Sequence, residues 1–189
     1  AKPGLLLPPA AHLAGLVEIV DLGLAAPDAE PAVRRLEAAD LAALWPVPDP
    51  EDHKYTRGVL GVLAGSTGYP GAAVLCVAGA LGAGVGMVRH LGPDAVAAHV
   101  LAAHPEVVPA DGRVQAWVIG PGLAGELGVA RERLAAALRD QVPVVVDAGG
   151  LELLPERAPS AVLTPHPGEL AALLAARGAA GGRAGGGAR

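Results

Sequence analysis

A chain of 189 residues is long enough for one full domain core and too short for two ordinary ones. It is 52% hydrophobic but only 2% aromatic, with no Phe, so the core must be built from Ala, Val and Leu; 27 Gly and 18 Pro imply many sharp turns. A net charge of −5 with acids and bases interspersed leaves no basic footprint for nucleic acid, and a single cysteine, Cys76, excludes an intrachain disulfide and a multi-cysteine zinc site.

The first residue is alanine and the one methionine is Met87, which reads as a removed start or a fragment. Residues 1 to 20 carry Lys2, but Pro3, Pro8, Pro9, His12 and Glu18 break every apolar run, against a secretory signal. With the lone cysteine this points to the cytoplasm. From Gly58 to Val88 no residue is charged, yet Gly65–Gly71 divides the stretch into pieces shorter than the ~20 residues a membrane span needs. A buried strand followed by a buried helix is the preferred reading.

In chain order, Leu16-Val17-Glu18-Ile19-Val20-Asp21-Leu22-Gly23 alternates as a strand does, although no neighbour precedes it. Residues 25–31 and 46–50 are rich in Pro, Ala and Asp and read as linker. Between them Ala32–Trp45 has Val33, Leu36, Leu41 and Leu44 at roughly helical spacing. The main unit begins at His53-Lys54-Tyr55-Thr56-Arg57-Gly58. Val59–Ala64 is a candidate buried strand, Gly65–Gly71 a glycine loop, and Ala72–Leu81 a helix whose Gly79, with Gly82, Gly84 and Gly86 beyond, marks close packing or the helix end.

Met87–Leu91 reads as a second strand and Asp94–Ala103 as a second helix, stopped by Pro105. Trp117-Val118-Ile119 runs into Gly120-Pro121-Gly122, and Val129–Arg139 is helical. Val142–Val146 is the next strand, with Asp147 at its end and one helical turn at Leu151–Leu154. Ala161–Leu163 is the last strand and Glu169–Ala176 its helix; after Arg177 only Gly, Ala and Arg follow, a tail expected to be disordered. Strands alternating with helices and ending in Gly, Pro or Asp define an α/β fold with a mainly parallel sheet.

In such a sheet the loops leaving the carboxyl ends of the strands share one edge, where ligands bind. Four of them carry special residues: Gly65–Gly71, Gly120–Gly122, Asp147–Gly150 and Thr164–Glu169. The first is a backbone cradle for an anion at a helix start or only a tight turn; it is neither a Walker A loop nor a dinucleotide fingerprint. Gly120-Pro121-Gly122 is a ligand wall or a kinked turn. Asp147 binds a hydroxyl or a metal, or caps the next turn. In Thr164-Pro165-His166-Pro167-Gly168-Glu169 each proline restricts the residue before it, so Thr164 and His166 are expected to be extended and the imidazole aimed without needing a partner. The six histidines are scattered, with no metal-binding helical pair, and no nucleophile elbow is present.

The order of these motifs, His53–Gly58, Ala64-Gly65-Ser66 with Pro70-Gly71-Ala72-Ala73, Ile119–Leu123, Val146–Leu151 and Leu163–Glu169, resembles the NAD(P)H-hydrate dehydratase family over residues 53 to about 174. The resemblance implies a ribokinase-like three-layer α/β/α fold with a mainly parallel sheet, incomplete at the C-terminus. It also implies a repair reaction in which ADP or ATP, with Mg2+, phosphorylates the hydroxyl of the hydrated nicotinamide ring of NADHX or NADPHX. Phosphate then leaves and NADH or NADPH is restored. Ala72 or Ala73, Gly120, Gly122 and His166 would line the hydrate pocket, with Asp147 and Glu169 behind them. Whether His166 donates a hydrogen bond or acts as a base is left open.

Lys2–Gly23 is similar, more briefly, to the end of an NAD(P)H-hydrate epimerase domain. The implied organisation is an epimerase remnant over 1–24, linker and short helix over 25–52, the first part of a dehydratase domain over 53–176 and a tail over 177–189. The family's later Gly-Thr-Gly-Asp motif, which serves phosphate transfer and nucleotide binding, has no counterpart after Leu174, so the catalytic group is unassigned and the chain alone is expected to be inactive. A ribokinase-like kinase of a small alcohol and a non-catalytic truncated domain are the competing readings. No membrane partner is expected, and the oligomeric state is open.

Overall fold

The computed structural model describes residues 2–24, 30–45, 47–125 and 127–178, and the chain divides into two units, Ala1–Val47 and Pro48–Arg189. The first unit holds a short 3-10 turn at Pro3–Leu5 and two helices, α1 (Ala11–Ala14) and α2 (Ala38–Leu44), none of which buries a residue. The strand expected at Leu16–Gly23 is not formed among the described residues. The segment lacks a partner, and Leu16, Ile19, Val20 and Leu22 stand exposed. Alternation alone cannot make a strand when no second strand accepts its hydrogen bonds.

The helix expected over Ala32–Trp45 is likewise confined to α2. Glu37 and Asp40 explain where it starts, because each side chain accepts a backbone N–H of the other, fixing Glu37 as an extended cap. Residues 30–37 lie outside the helix. The linker residues 25–29 and 46 and the tail 179–189 fall outside the described residues.

The second unit is an alternating α/β chain: β1 (Val59–Leu63), α3 (Pro70–Gly82), β2 (Met87–His90), α4 (Asp94–Ala103), β3 (Ala116–Ile119), α5 (Gly128–Arg139), β4 (Val144–Val146), a 3-10 segment Ala148–Leu153, β5 (Ala161–Leu163) and α6 (Pro167–Ala176). Every pairing among the five strands is parallel, in the order β2-β1-β3-β4-β5. Strand β4 begins two residues later than expected, since Pro143 has no N–H to give the ladder.

Two apolar clusters make this unit three-layered. On one face Val62, Ala64, Val77, Val88, Val96 and Val100 join β1 and β2 to α3 and α4. On the other Leu63, Trp117, Ile119, Leu134, Val146 and Leu151 join β1, β3 and β4 to α5 and the 3-10 segment. With valine the usual buried side chain, each contributes roughly 1.5–3 kcal/mol, and the one bulky indole needs special room. Gly61 provides it: it is registered opposite Trp117, and a Cβ there would enter the ring. The Arg133 guanidinium lies 5.8 Å from the ring centroid.

The glycines after Ala72 divide by cause. Gly79 has open space around it, so close packing does not explain it, and Gly82 ends the helix. Gly84 turns with φ +82°, and only Gly86 is held by close approach, to the Lys54 carbonyl. At the far side of the sheet β5 is paired on one edge only among the described residues, and Val162 is 61% exposed. No described helix is long and apolar enough to cross a membrane.

Candidate functional site

The strand order turns around at β1: the chain first adds β2 on one side of it, then β3, β4 and β5 on the other. At such a reversal the connections on either side leave toward opposite faces, and a crevice opens between the carboxyl ends of the two strands. Here those ends carry Gly65–Tyr69 and Gly120–Gly122. The two loops are joined by Gly65 N–H donating to the Pro121 carbonyl at 2.7 Å. Gly122, at φ +68°, lies against the Ala72 methyl, so any side chain at 122 would strike the first turn of α3. Ala72 and Gly122 are thus brought together, while Ala73 turns into the core and is fully buried. Of that pair, Ala72 carries the methyl at the edge.

Gly120, at φ +131°, admits the Asp147 carbonyl where a Cβ would sit. This close approach continues the edge from β3 to β4. From β4 to β5 the register sets Val146 beside Leu163, and therefore Asp147 beside Thr164; the Thr164 hydroxyl donates to Asp147 Oδ1 at 2.9 Å. Asp147 makes no side-chain cap to the 3-10 segment it precedes. The role of the Thr164 hydroxyl is not legible in the sequence, because its partner lies 17 residues away and becomes visible only once β4 and β5 are known to be neighbours.

His166 ends the row. It is extended, at φ −70° and ψ 167°, and is the N-cap of α6. Its Nδ1 accepts from the N–H groups of Gly168 at 3.1 Å and Glu169 at 3.3 Å, and Glu169 Oε2 accepts from the His166 N–H at 2.9 Å. Glu169 Oε1 lies 3.4 Å from Nε2. The expectation that the two prolines alone aim the ring is corrected: backbone amides and Glu169 hold it as well.

Two more titratable side chains stand near this edge. Cys76, one helical turn past Ala72, has its thiol pushed up to about 11, first by burial and then by the negative charge of Asp147. His90, at the end of β2, meets the Ala64 carbonyl through Nε2 at 3.1 Å, and burial holds it below the usual imidazole range.

The remaining motif lies elsewhere. His53–Gly58 is a turn at the amino ends of the strands, where Arg57 donates to the Gly84 carbonyl and Gln115 Nε2 to the Tyr55 carbonyl. It ties β1 to the starts of β2 and β3 and takes no part in the edge. A cavity of about 780 Å3 opens between the 3-10 segment and α6, lined by Leu151, Glu152, Leu154, Leu173 and Arg177 among others. It shares Glu169 with the row, but Ala72, Gly120, Gly122 and His166 do not line it. Among the described residues no group of three acidic, histidine or cysteine side chains is placed to hold a metal.

A parallel sheet wound in both directions, with its special loops along one carboxyl edge, defines the class as a doubly wound three-layer α/β protein, and its likeness to solved structures makes that fold ribokinase-like. A ribokinase-like superfamily protein from Enterococcus faecalis shares the fold at a TM-score of 0.63, with 20% identity over 73% of this chain and 55% of that one. The particular family follows from sequence. The profile of the NAD(P)H-hydrate dehydratase family matches residues 60–185, and the chain belongs to that family.

The bifunctional NAD(P)H-hydrate repair enzyme Nnr of Mycobacterium tuberculosis is 51% identical over 175 residues, 86% of this chain and 36% of the relative. The Escherichia coli enzyme of the same name is 33% identical over 188 residues, 92% of this chain and 36% of the relative. The ADP/ATP-dependent NAD(P)H-hydrate dehydratase of Bacillus subtilis, co-crystallized with ATP/Mg2+, superposes with a TM-score of 0.60 at 32% identity, covering 70% of this chain and 52% of that one. The chain therefore spans about a third of the bifunctional relatives and half of the B. subtilis enzyme.

Proposed function

We propose that this chain supplies the hydrate-binding wall of a nicotinamide nucleotide repair enzyme, which uses ADP or ATP to dehydrate NADHX or NADPHX back to NADH or NADPH. The observation that carries the reading is the continuous row from Ala72 and Gly122 through Gly120 and the Asp147–Thr164 pair to His166, all at the carboxyl edge and beginning at its reversal. Gly120 lets β3 and β4 close up at the edge, Gly122 and Ala72 keep the start of the row free of bulky side chains, and His166 offers a ring nitrogen at its end. Ala73 would take part through its backbone only.

Phosphorylation turns the ring hydroxyl, a poor leaving group, into phosphate, a good one, and the ring nitrogen lone pair assists its departure. The Mg2+ that accompanies the nucleotide has no ligand cluster among the described residues, so no step is assigned to it here. The sequence contains no Gly-Thr-Gly-Asp motif. This supports a division in which hydrate binding belongs to this chain and phosphoryl transfer to residues it does not contain.

Residues 1–24 we assign to the end of an NAD(P)H-hydrate epimerase domain and 53–176 to the first part of the dehydratase domain. Support comes from the bifunctional relatives, whose alignment over 86% of the chain extends beyond the dehydratase match. A cytoplasmic location accords with the single cysteine.

Calorimetry and a coupled assay test the proposal together. NADHX is expected to bind this chain, ADP not to bind, and turnover with both to remain at background. Turnover near that of a full-length relative, or ADP binding without NADHX binding, would overturn it.

A further inference from the structure

The same hydrogen bonds that cap α6 decide what His166 can do chemically. A neutral imidazole carries one proton, on either nitrogen, and the unprotonated nitrogen is its only acceptor. In this structure Nδ1 faces two N–H donors, from Gly168 and Glu169, so its lone pair is engaged and it carries no hydrogen. The proton is therefore on Nε2. The side chain is 68% exposed, so Nε2–H remains accessible beside the row.

Glu169 grips the same residue from the other side. Its Oε2 accepts from the His166 backbone N–H, and its Oε1 lies 3.4 Å from Nε2 without a hydrogen bond to it. The carboxylate thus fixes the backbone of the cap and flanks the ring while leaving Nε2–H free. Gly168 completes the arrangement by packing its backbone under the ring, where a Cβ would come within 3.0 Å of Cε1.

We propose that His166 serves the dehydration as a fixed Nε2–H hydrogen-bond donor, with Glu169 as its positioning residue, and is not the base that removes a proton. The proposal rests on the hydrate-binding reading above. As a base the ring would have to accept at Nδ1, which means giving up two cap hydrogen bonds, or at Nε2, which already holds the proton. Its partner on the substrate is an oxygen with a free lone pair, such as the carboxamide carbonyl or the hydroxyl of the hydrated ring. The base that deprotonates that hydroxyl lies on another residue.

Nitrogen NMR of the labelled chain reads the tautomer without any substrate. The expected spectrum shows Nε2 protonated, Nδ1 unprotonated, and a coupling across the hydrogen bond between Nδ1 and the Gly168 or Glu169 amide nitrogen. Glu169→Ala is expected to erase that coupling. Glu169→Gln, which can still accept from the His166 N–H, is expected to restore it. Protonated Nδ1, an unlocked mixture of tautomers in the parent chain, or a Glu169→Ala spectrum like the parent's would overturn the proposal.

The binding arm uses two isosteres. His166→Asn keeps a capping acceptor but lacks the distal donor, so NADHX affinity should fall about tenfold with α6 intact. His166→Gln keeps a distal N–H donor at the expense of the cap and should bind more tightly than His166→Asn; the reverse order refutes the donor role. If the parent chain binds no NADHX at all, the hydrate-binding reading fails, whereas the tautomer and the Glu169 variants still decide the inference.

Discussion

Replacing Gly120 by Ala separates backbone strain from close approach at the edge of the sheet. Two costs are expected. At φ +131° an L-residue sits in a region that only glycine occupies comfortably, a cost of order 1–3 kcal/mol. In addition the new methyl would occupy the place of the Asp147 carbonyl oxygen, and backbone cannot rotate away as a side chain can. The ends of β3 and β4 must separate, weakening the bond from Asp147 N–H to Ile119 O, and the displaced Gly120 strains its own N–H bond to Leu63 O of β1; both are 3.1 Å and are worth about 1 kcal/mol each.

Gly125→Ala is the control. Its φ is +84°, with no atom near the added Cβ, so it carries only a left-handed penalty of roughly 1–2 kcal/mol, offset by about 0.4–1 kcal/mol from a less flexible unfolded chain. Urea unfolding followed by circular dichroism should therefore show Gly120→Ala destabilised by roughly 3–4 kcal/mol, against less than about 1.5 kcal/mol for Gly125→Ala. Equal losses for the two variants would refute the close-approach account of this turn.

His90 predicts a pH dependence. Burial holds its folded pKa below the ordinary value near 6.5, so above about pH 6.5 both states are neutral and nothing is lost. As the pH falls further, the unfolded chain takes up a proton that the folded one resists, and stability declines by at most ~1.4 kcal/mol per pH unit until the folded pKa is reached. His90→Gln, measured by urea midpoints at both ends of that range, should flatten the decline; an unchanged slope would show that the imidazole is not its source. On β5, a charge on the half-paired edge should oppose pairing with other chains. Val162→Lys is expected to lower self-association in sedimentation velocity, with a change of less than about 0.5 kcal/mol in stability because the residue is exposed. Any self-association of the parent chain that the lysine leaves unaltered would show that the β5 edge is not its contact surface.

The alternation of elements in the second unit was legible because local signals agreed with tertiary ones. Asp94–Ala103 and Ala161–Leu163 match their expected bounds, the first delimited by Pro93 and Pro105, the second by Pro159 and Pro165. In the first unit they did not agree. Leu16–Gly23 has strand chemistry and no strand to pair with, and Ala32–Trp45 has helical spacing but a cap at Glu37 that starts the helix late. Periodicity states which face would be apolar; it does not state that a neighbour exists to cover it.

The candidate site divides along the same line. Gly120 and Gly122 could be read as turn glycines from sequence, but their need for glycine comes from the Asp147 carbonyl and the Ala72 methyl, both far along the chain. Ala72 and Ala73 were equivalent as letters and differ only by the hundred degrees that separate successive helical residues, which sends one to the edge and the other into the core. His166 is the instructive case. Its two prolines suggested a ring held by backbone stiffness alone, yet the residues that decide its chemistry are Gly168 and Glu169, also present in the motif. The spacing of a histidine three residues before a glutamate at a helix start is that of a capping box, with imidazole Nδ1 in the place of the hydroxyl oxygen. Read in that way, a six-residue sequence constrains the nitrogen that can carry the proton, and with it whether the ring donates or accepts.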